Sequence, residues 1–187
     1  GADPELIMAY LYKHTPLQTN VTLNFTCLVP TEQEDVAAPQ RLSIRELLQH
    51  FLDFRMEVVT RRLEHELKKL LDRIHILEGF VTIFDALDET IRIIRRSDGK
   101  ADAARKLVRR FDLSERQADA ILELRLHRLA KLAILEIREE LEDKRAEAAR
   151  LEALLGDRDA RWALIRAELQ QLKTDFADRR RTRISGS

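Results

Sequence analysis

The sequence predicts a mainly α-helical chain: a long antiparallel coiled-coil stalk, a compact helical knob at its tip, and a short β segment at the N-terminal end. Three observations carry this. Charged residues make up 35% of the 187, aromatics only 5%, and there are just 5 Gly and 4 Pro, against a usual charged share of ~25%. Two long stretches place apolar residues at steps of three and four, the period of a helix with one buried face. One short stretch near the N-terminus alternates with period two. A sandwich or barrel needs turn residues at every reversal, and this composition lacks them.

Taken in order, residues 1–5 read as a cloning remnant, and residues 6–42 as a strand followed by a loop. Within them Val21 to Val29 alternates apolar and polar, which predicts a strand burying Val21, Leu23, Phe25 and Cys27. Residues 31–40 read as a loop. Residues 43–78 form the outgoing helix. Ser43 with Glu46 three residues on is a capping box, and Leu48, Leu52, Met56, Val59, Leu63, Leu67, Leu70, Ile74 and Leu77 share one face, ending at Gly79. About 35 residues at 1.5 Å each make a rod of about 50 Å.

Residues 79–133 form the knob. It comprises a helix from Phe80 to Ile94, a turn at Ser97 to Lys100, a short helix from Ala101 to Phe111, and a helix capped by Ser114 with Gln117 at the box position. Residues 134–184 return along the stalk, with a break at Gly156-Asp157. Trp162, Ile165, Leu169, Leu172 and Phe176 then follow as a heptad seam, and 185–187 are a tail. Neither rod can bury its stripe alone, so antiparallel pairing is the economical arrangement.

The charge balance is 33 Lys+Arg against 33 Asp+Glu, a net charge of zero, which excludes a globally basic DNA-coating protein. A single cysteine, Cys27, allows no internal disulfide. No apolar run approaches the ~20 residues of a membrane helix, and no leader pattern opens the chain. A cytoplasmic setting with no membrane partner is the expectation.

The five histidines, His14, His50, His65, His75 and His127, include no zinc-protease pair, and the isolated glycines make no phosphate cradle. His75 reads as a hydrogen-bonded helix-end histidine. Neither catalytic residues nor a metal site are expected. Two features remain. Leu122, Leu126 and Leu129 lie on one face of a predicted helix, with Ile121 and Leu124 round the side. Such a helix is either central to a core or shared with a partner. Lys13, His14, Arg61, Arg62, Arg179, Arg180 and Arg181 are candidates to face a DNA backbone, although solvated helix faces carry such cations too.

Several strings occur together in a fixed order. They are Leu11-Tyr12-Lys13-His14-Thr15-Pro16-Leu17-Gln18, Phe51-Leu52-Asp53-Phe54-Arg55, Val58-Val59-Thr60-Arg61-Arg62 and Arg73-Ile74-His75-Ile76-Leu77-Glu78-Gly79, then Phe111, Leu113-Ser114, Gln117-Ala118, Ala120-Ile121-Leu122, Leu126 and Leu129, and finally Arg180-Arg181-Thr182. This set resembles the A-subunit family of bacterial type IIA DNA topoisomerases, which comprises the A-subunits of DNA gyrase and of topoisomerase IV. The Lys13–Gln18 string leans towards gyrase, while Asn24 to Pro30 and the acidic loop after it depart from the common pattern.

The resemblance implies that residues 6–42 end the tower domain and that the rest is the coiled-coil arm with its exit gate (C-gate). Through that gate a transported duplex would leave after ATP-dependent double-strand passage. It implies a homodimer through the knob, with Ile121, Leu122, Leu124, Leu126 and Leu129 as the patch and Arg125 and His127 at its rim. Gly156 and Asp157 become the hinge. The other partners are a transient DNA duplex and the ATPase of the B-subunit type. No cofactor is expected in this segment; ATP and Mg2+ would act through that ATPase. The cleaving tyrosine would lie in a winged-helix domain outside this segment, so Tyr10 and Tyr12 are not nucleophiles. The alternative is a non-enzymatic helical adaptor or scaffold whose knob binds a different protein.

Overall fold

The computed structural model describes residues 3–33, 36–125, 131–179 and 181, without the side chains of 131 and 132. The chain divides into two compact units, residues 1–54 and 55–187.

The first unit opens with helix α1, Pro4–His14. The Asp3 carboxylate accepts from the Glu5 amide at 3.0 Å, and Pro4 occupies the first turn. An N-cap acid, a proline with preset φ and a first-turn glutamate are what a helix start requires. Residues set aside as a remnant therefore nucleate an element that the reading of this region as β-like did not contain. None of its residues is buried.

Strand β1, Thr26–Pro30, pairs antiparallel with β2, Ala37–Arg41, with Thr26 opposite Arg41 and Val29 opposite Ala38. The expected strand is thus shorter. Val21 and Leu23 are 79% and 70% exposed, while Val29 is buried and Phe25 and Cys27 are half-buried. The inward phase is right from Phe25 onward; a two-stranded ribbon has no second layer to cover Val21 and Leu23. The pairing strand comes from residues read as loop. Pro39 and the polar Gln40-Arg41 hide its alternation, and Pro is tolerated there because both strands are edges.

Helix α2, Ile44–Asp85, has 42 residues and measures about 63 Å. Its capping box is formed: the Ser43 amide donates to Glu46 Oε2 at 2.7 Å and the Glu46 amide donates to Ser43 Oγ at 3.3 Å. The expected stop at Gly79 does not occur. The helix passes through it and ends before Ala86, so the expected helix from Phe80 to Ile94 becomes the end of α2 followed by α3, Leu87–Arg95.

In the second unit α3 is followed by α4, Lys100–Phe111, α5, Glu115–Leu122, α6, Lys131–Gly156, and α7, Arg158–Asp175. Gly99 caps α4 at φ 114°, a left-handed conformation for which glycine is suited. Helix α6 runs antiparallel to residues 55–85 of α2: Asp85 pairs with Arg138, and Glu78 with Arg145. Val59 and Leu63 of α2 pack with Leu151 of α6 and Ile165 of α7. Nearer the end of α2, Ile74, Leu77, Phe80 and Ile83 share a core with Leu107, Leu113, Ile121, Ile137 and Leu141. Fully buried residues such as Val59, Leu77, Leu107 and Ile165 each contribute about 1.5–3 kcal/mol relative to exposure.

The heptad seam is only partly realised. Ile165 is buried and Trp162 and Leu169 are half-buried, but Leu172 and Phe176 are 47% and 79% exposed. Helix α7 stops at Asp175 instead of running towards residue 184, so Arg179 and Arg181 lie beyond a helix. No described helix is long and apolar enough to cross a membrane.

Candidate functional site

Helix α5 and the turn after it are set against α2 by a small polar cluster. Ser114 caps α5, its Oγ accepting from the Gln117 amide at 3.1 Å while Gln117 Oε1 accepts from the Ser114 amide at 2.9 Å. The same Gln117 side chain donates through Nε2 to the His75 carbonyl at 2.7 Å. His75 Nε2 lies 2.7 Å from Ser114 Oγ, as expected of a hydrogen-bonded helix-end histidine. Arg116 pairs with Asp72 at 2.9 Å, and that guanidinium hydrogen bond holds the Asp72 carboxyl below its usual range.

Gly79 explains why α5 comes so close. A Cβ there would stand 2.8 Å from Gln117 Cγ and 2.9 Å from Gln117 Cβ. The glycine that reads as a helix end is a contact point between helices.

The predicted patch is distributed by depth. Ile121 is 5% exposed and belongs to the core; Leu122 and Leu124 are half-buried against that core; Arg125 is exposed. Helix α5 ends at Leu122, and the Leu124 amide donates to the Ile121 carbonyl at 3.1 Å in a tight turn. The single helix expected to carry all these leucines therefore stops before Leu124. Leu126, His127 and Leu129 lie outside the described residues. An open depression of about 390 Å³ adjoins the turn, floored by Ile76, Phe80, Ala120 and Leu124 and rimmed by Arg73, Glu123 and Arg125. Its rim is held in place. Arg73 makes two hydrogen bonds to Glu140 at 2.7 and 2.8 Å, which raise its pKa, and Glu123 pairs with Lys100 at 2.9 Å, raising that of Lys100. Leu135, in the first turns of α6, is 49% exposed.

At the break between α6 and α7, Asp157 accepts from the Asp159 and Ala160 amides at 2.8 and 3.2 Å. Arg161 donates to the carbonyls of Leu154 and Leu155. Gly156 has open space where a Cβ would stand. The interruption is made by the Asp157 cap and the Arg161 staple, with no demand on Gly156.

The candidate DNA-facing residues fall in both units. Lys13 and His14 end α1 in the first unit, His14 stacking near Tyr10 with ring centroids 4.4 Å apart. In the second unit Arg61 pairs with Glu57, Arg62 shares Glu168 with Arg55, and Arg181 stands 3.4 Å from Asp178. Arg179 is exposed after α7, and Arg180 is outside the described residues. Among the described residues no three His, Cys, Asp or Glu side chains converge as metal ligands. A gathering of cations that sequence reasoning missed lies in the cleft between α3 and α4. Arginines four residues apart at 92 and 96, and again at 105 and 109, were the available signal.

Comparison with known proteins agrees with this architecture. The family model for the DNA gyrase/topoisomerase IV A-subunit matches residues 1–170. The DNA gyrase A-subunit of Lawsonia intracellularis is 39% identical over 184 residues, covering 98% of this chain and 22% of the relative. That of Metamycoplasma arthritidis is 42% identical over 184 residues, covering 98% and 20%, and that of Staphylococcus epidermidis 41% over 183 residues, also 98% and 20%. The chain spans about a fifth of the length of these curated relatives. An ordered set of motifs, a 42-residue helix that runs unbroken through Gly79, and a match along nearly the whole sequence lead to one conclusion: the chain belongs to the DNA gyrase/topoisomerase IV A-subunit family.

Proposed function

We propose that this chain is the arm and exit gate of a gyrase-type A-subunit within an ATP-dependent type II DNA topoisomerase. Two copies meet through the turn after α5 and part to release a transported duplex. The supporting observation is the depression beside Leu124, with an apolar floor and a rim of Arg73, Glu123 and Arg125. A gate must hold two cut DNA ends together and still separate. Apolar contact supplies adhesion without direction, while a charged rim sets register and keeps the open state soluble. Repeated by a two-fold axis, one such surface is self-complementary in area and adjustable in strength. Leu122, Leu124, Leu126 and Leu129 form the contact, Ile121 supports it from the core, and Arg125 and His127 edge it.

Stiffness is the other requirement. The antiparallel packing of α6 on α2, through Leu77, Phe80 and Ile83 against Ile137 and Leu141, transmits a swing of the arm without bending. The Asp157–Arg161 junction is the place where the return path changes helix. The chemistry of cleavage and of ATP hydrolysis belongs to other parts of the enzyme and to its B-subunit ATPase, where Mg2+ would act; this segment supplies geometry. The transported duplex is its transient partner in the bacterial cytoplasm.

Sedimentation equilibrium of the 187-residue chain tests the proposal. Wild type is expected to be dimeric at tens of micromolar, and Leu124→Glu monomeric with an unchanged helical circular-dichroism spectrum. Arg125→Glu, exposed and outside the core, is expected to weaken the dimer without affecting folding. A wild-type chain that stays monomeric throughout that range, or a dimer indifferent to both substitutions, overturns it.

A further inference from the structure

Helices α3 and α4 enclose a cleft of about 740 Å³ whose lining is mostly cationic: Arg92 and Arg96 from α3 and the residue after it, and Arg105, Lys106, Arg109 and Arg110 from α4. Only two carboxylates, Glu89 and Asp102, line it with them. Both are already engaged. Glu89 accepts twice from Arg110, at 2.6 and 3.1 Å. Asp102 pairs with Lys106 and stands 3.6 Å from Arg105. Among the described residues Arg92, Arg96 and Arg109 have no ion-pair partner, and Arg105 has only that long one. Six cations against two anions leave an excess of four positive charges in one cleft of a chain whose net charge is zero.

Such a concentration is costly without a ligand. Like charges gathered on two facing helices repel one another, and nothing in the core requires these side chains, since Leu107 and Ala103 carry the packing of α4. The spacing is also regular. Residues 92 and 96, and 105 and 109, each stand one helical turn apart, a rise of about 6 Å. That is close to the separation of neighbouring phosphates along a nucleic-acid strand. Guanidinium forks bind phosphate oxygens two at a time, which lysines cannot do. A scattered surface charge would be satisfied by water; two rows of guanidiniums lining one cleft, three of them without an ion-pair partner among the described residues, suit a linear anion.

We propose that the α3–α4 cleft is a binding site for a run of adjacent phosphates, held by Arg92, Arg96, Arg105 and Arg109. The site is separate from the α5 turn, and it does not depend on dimerisation of the chain. Two sources share this chemistry, the backbone of duplex DNA and a free oligophosphate.

Binding of a fluorescent 20-base-pair duplex and of inorganic tripolyphosphate is measured with the 187-residue chain and with the Arg92→Ala/Arg96→Ala/Arg109→Ala variant. All three positions are exposed, so the variant keeps its fold, checked by circular dichroism. An Arg150→Ala/Arg166→Ala variant, both positions exposed and outside the cleft, serves as the control for cations elsewhere. The proposal expects binding of at least one probe, lost in the triple variant and kept in the control. Four phosphate contacts make duplex affinity fall about a hundredfold between 50 and 200 mM salt, and the triple variant lowers the salt slope by about 2.7. Duplex binding alone identifies the source as DNA, and tripolyphosphate binding alone as a free oligophosphate. No binding of either at 50 mM salt, or equal binding by wild type and the triple variant, overturns the proposal. A monomeric chain that binds in this way would overturn the gate reading and leave this one standing.

Discussion

Gly79→Ala puts the packing of α5 on α2 to a quantitative test. In an ordinary helix interior this substitution stabilises by about 0.8–1.0 kcal/mol, because alanine restricts the unfolded chain and shields the backbone. Here the new methyl would stand 2.8 Å from Gln117 Cγ and 2.9 Å from Gln117 Cβ. The second of these atoms is fixed to the α5 backbone and cannot rotate away, so relief requires α5 to move by roughly half an ångström. Overpacking of this kind costs about 1–3 kcal/mol. Moving Gln117 also strains the Ser114 cap and the bond to the His75 carbonyl, about 1 kcal/mol each. Set against the helix gain, the net is a destabilisation of about 2 kcal/mol, or a fall in melting temperature of about 4–8 °C for a chain of this size. Thermal unfolding followed by circular dichroism reads it directly. The displaced α5 carries Leu122 and Leu124 with it, so the dimer dissociation constant should rise as well. A melting temperature 2–4 °C above wild type, the behaviour of an unconstrained helical glycine, would refute the claim that Gly79 exists for this contact.

The remaining predictions concern the return path. Burial pushes the Glu168 carboxyl up, but hydrogen bonds from Arg62 and Arg55 outweigh it and leave the group below its ordinary value. A depressed carboxyl stabilises fully above its unfolded pKa of about 4.3, and the effect drains away as pH falls through the folded one. Glu168→Gln should therefore melt about 2–4 °C below wild type at pH 7, with the gap closing below about pH 4; a gap that persists in acid would contradict the ion-pair origin. Gly156→Ala, with open space at its Cβ, should leave the melting temperature unchanged or raise it by a degree or two. Asp157→Ala removes the α7 cap and should lower it by about 2–4 °C, for a cost of about 1 kcal/mol. The reverse order would place the junction's integrity in the glycine.

Much of the helical framework was legible because its signals are local. The Ser43–Glu46 and Ser114–Gln117 boxes and the 3.6-residue stripe through Val59, Leu63, Ile74 and Leu77 each decide backbone conformation within a turn or two. What escaped depends on partners distant in sequence. Gly79 looks like a terminator until α5 arrives beside it, and Ala37–Arg41 has no strand pattern of its own because β1 dictates its conformation. The heptad seam through Leu172 and Phe176 kept its period while losing its cover, since periodicity reports which face is apolar and not whether anything packs on it. The same holds for the candidate site. Leucine spacing pointed to an apolar patch over residues 121–129, of which 126–129 lie outside the described residues; the end of α5 at Leu122 separates Ile121, which belongs to the core, from Leu124, which lies in the turn. The α3–α4 cleft was missed because its two cationic rows face each other only after Gly99 turns the chain.

The central claim is that two copies of this chain meet at the surface around the end of α5. Double electron–electron resonance on Asp119→Cys, nitroxide-labelled in a Cys27→Ser background, measures this directly, because residue 119 is exposed on α5. The expected result is one narrow interspin distance that disappears when labelled chain is diluted with unlabelled chain and is absent in Leu124→Glu. A signal without dipolar modulation at concentrations where sedimentation shows a dimer would place the contact elsewhere on the molecule and contradict the claim.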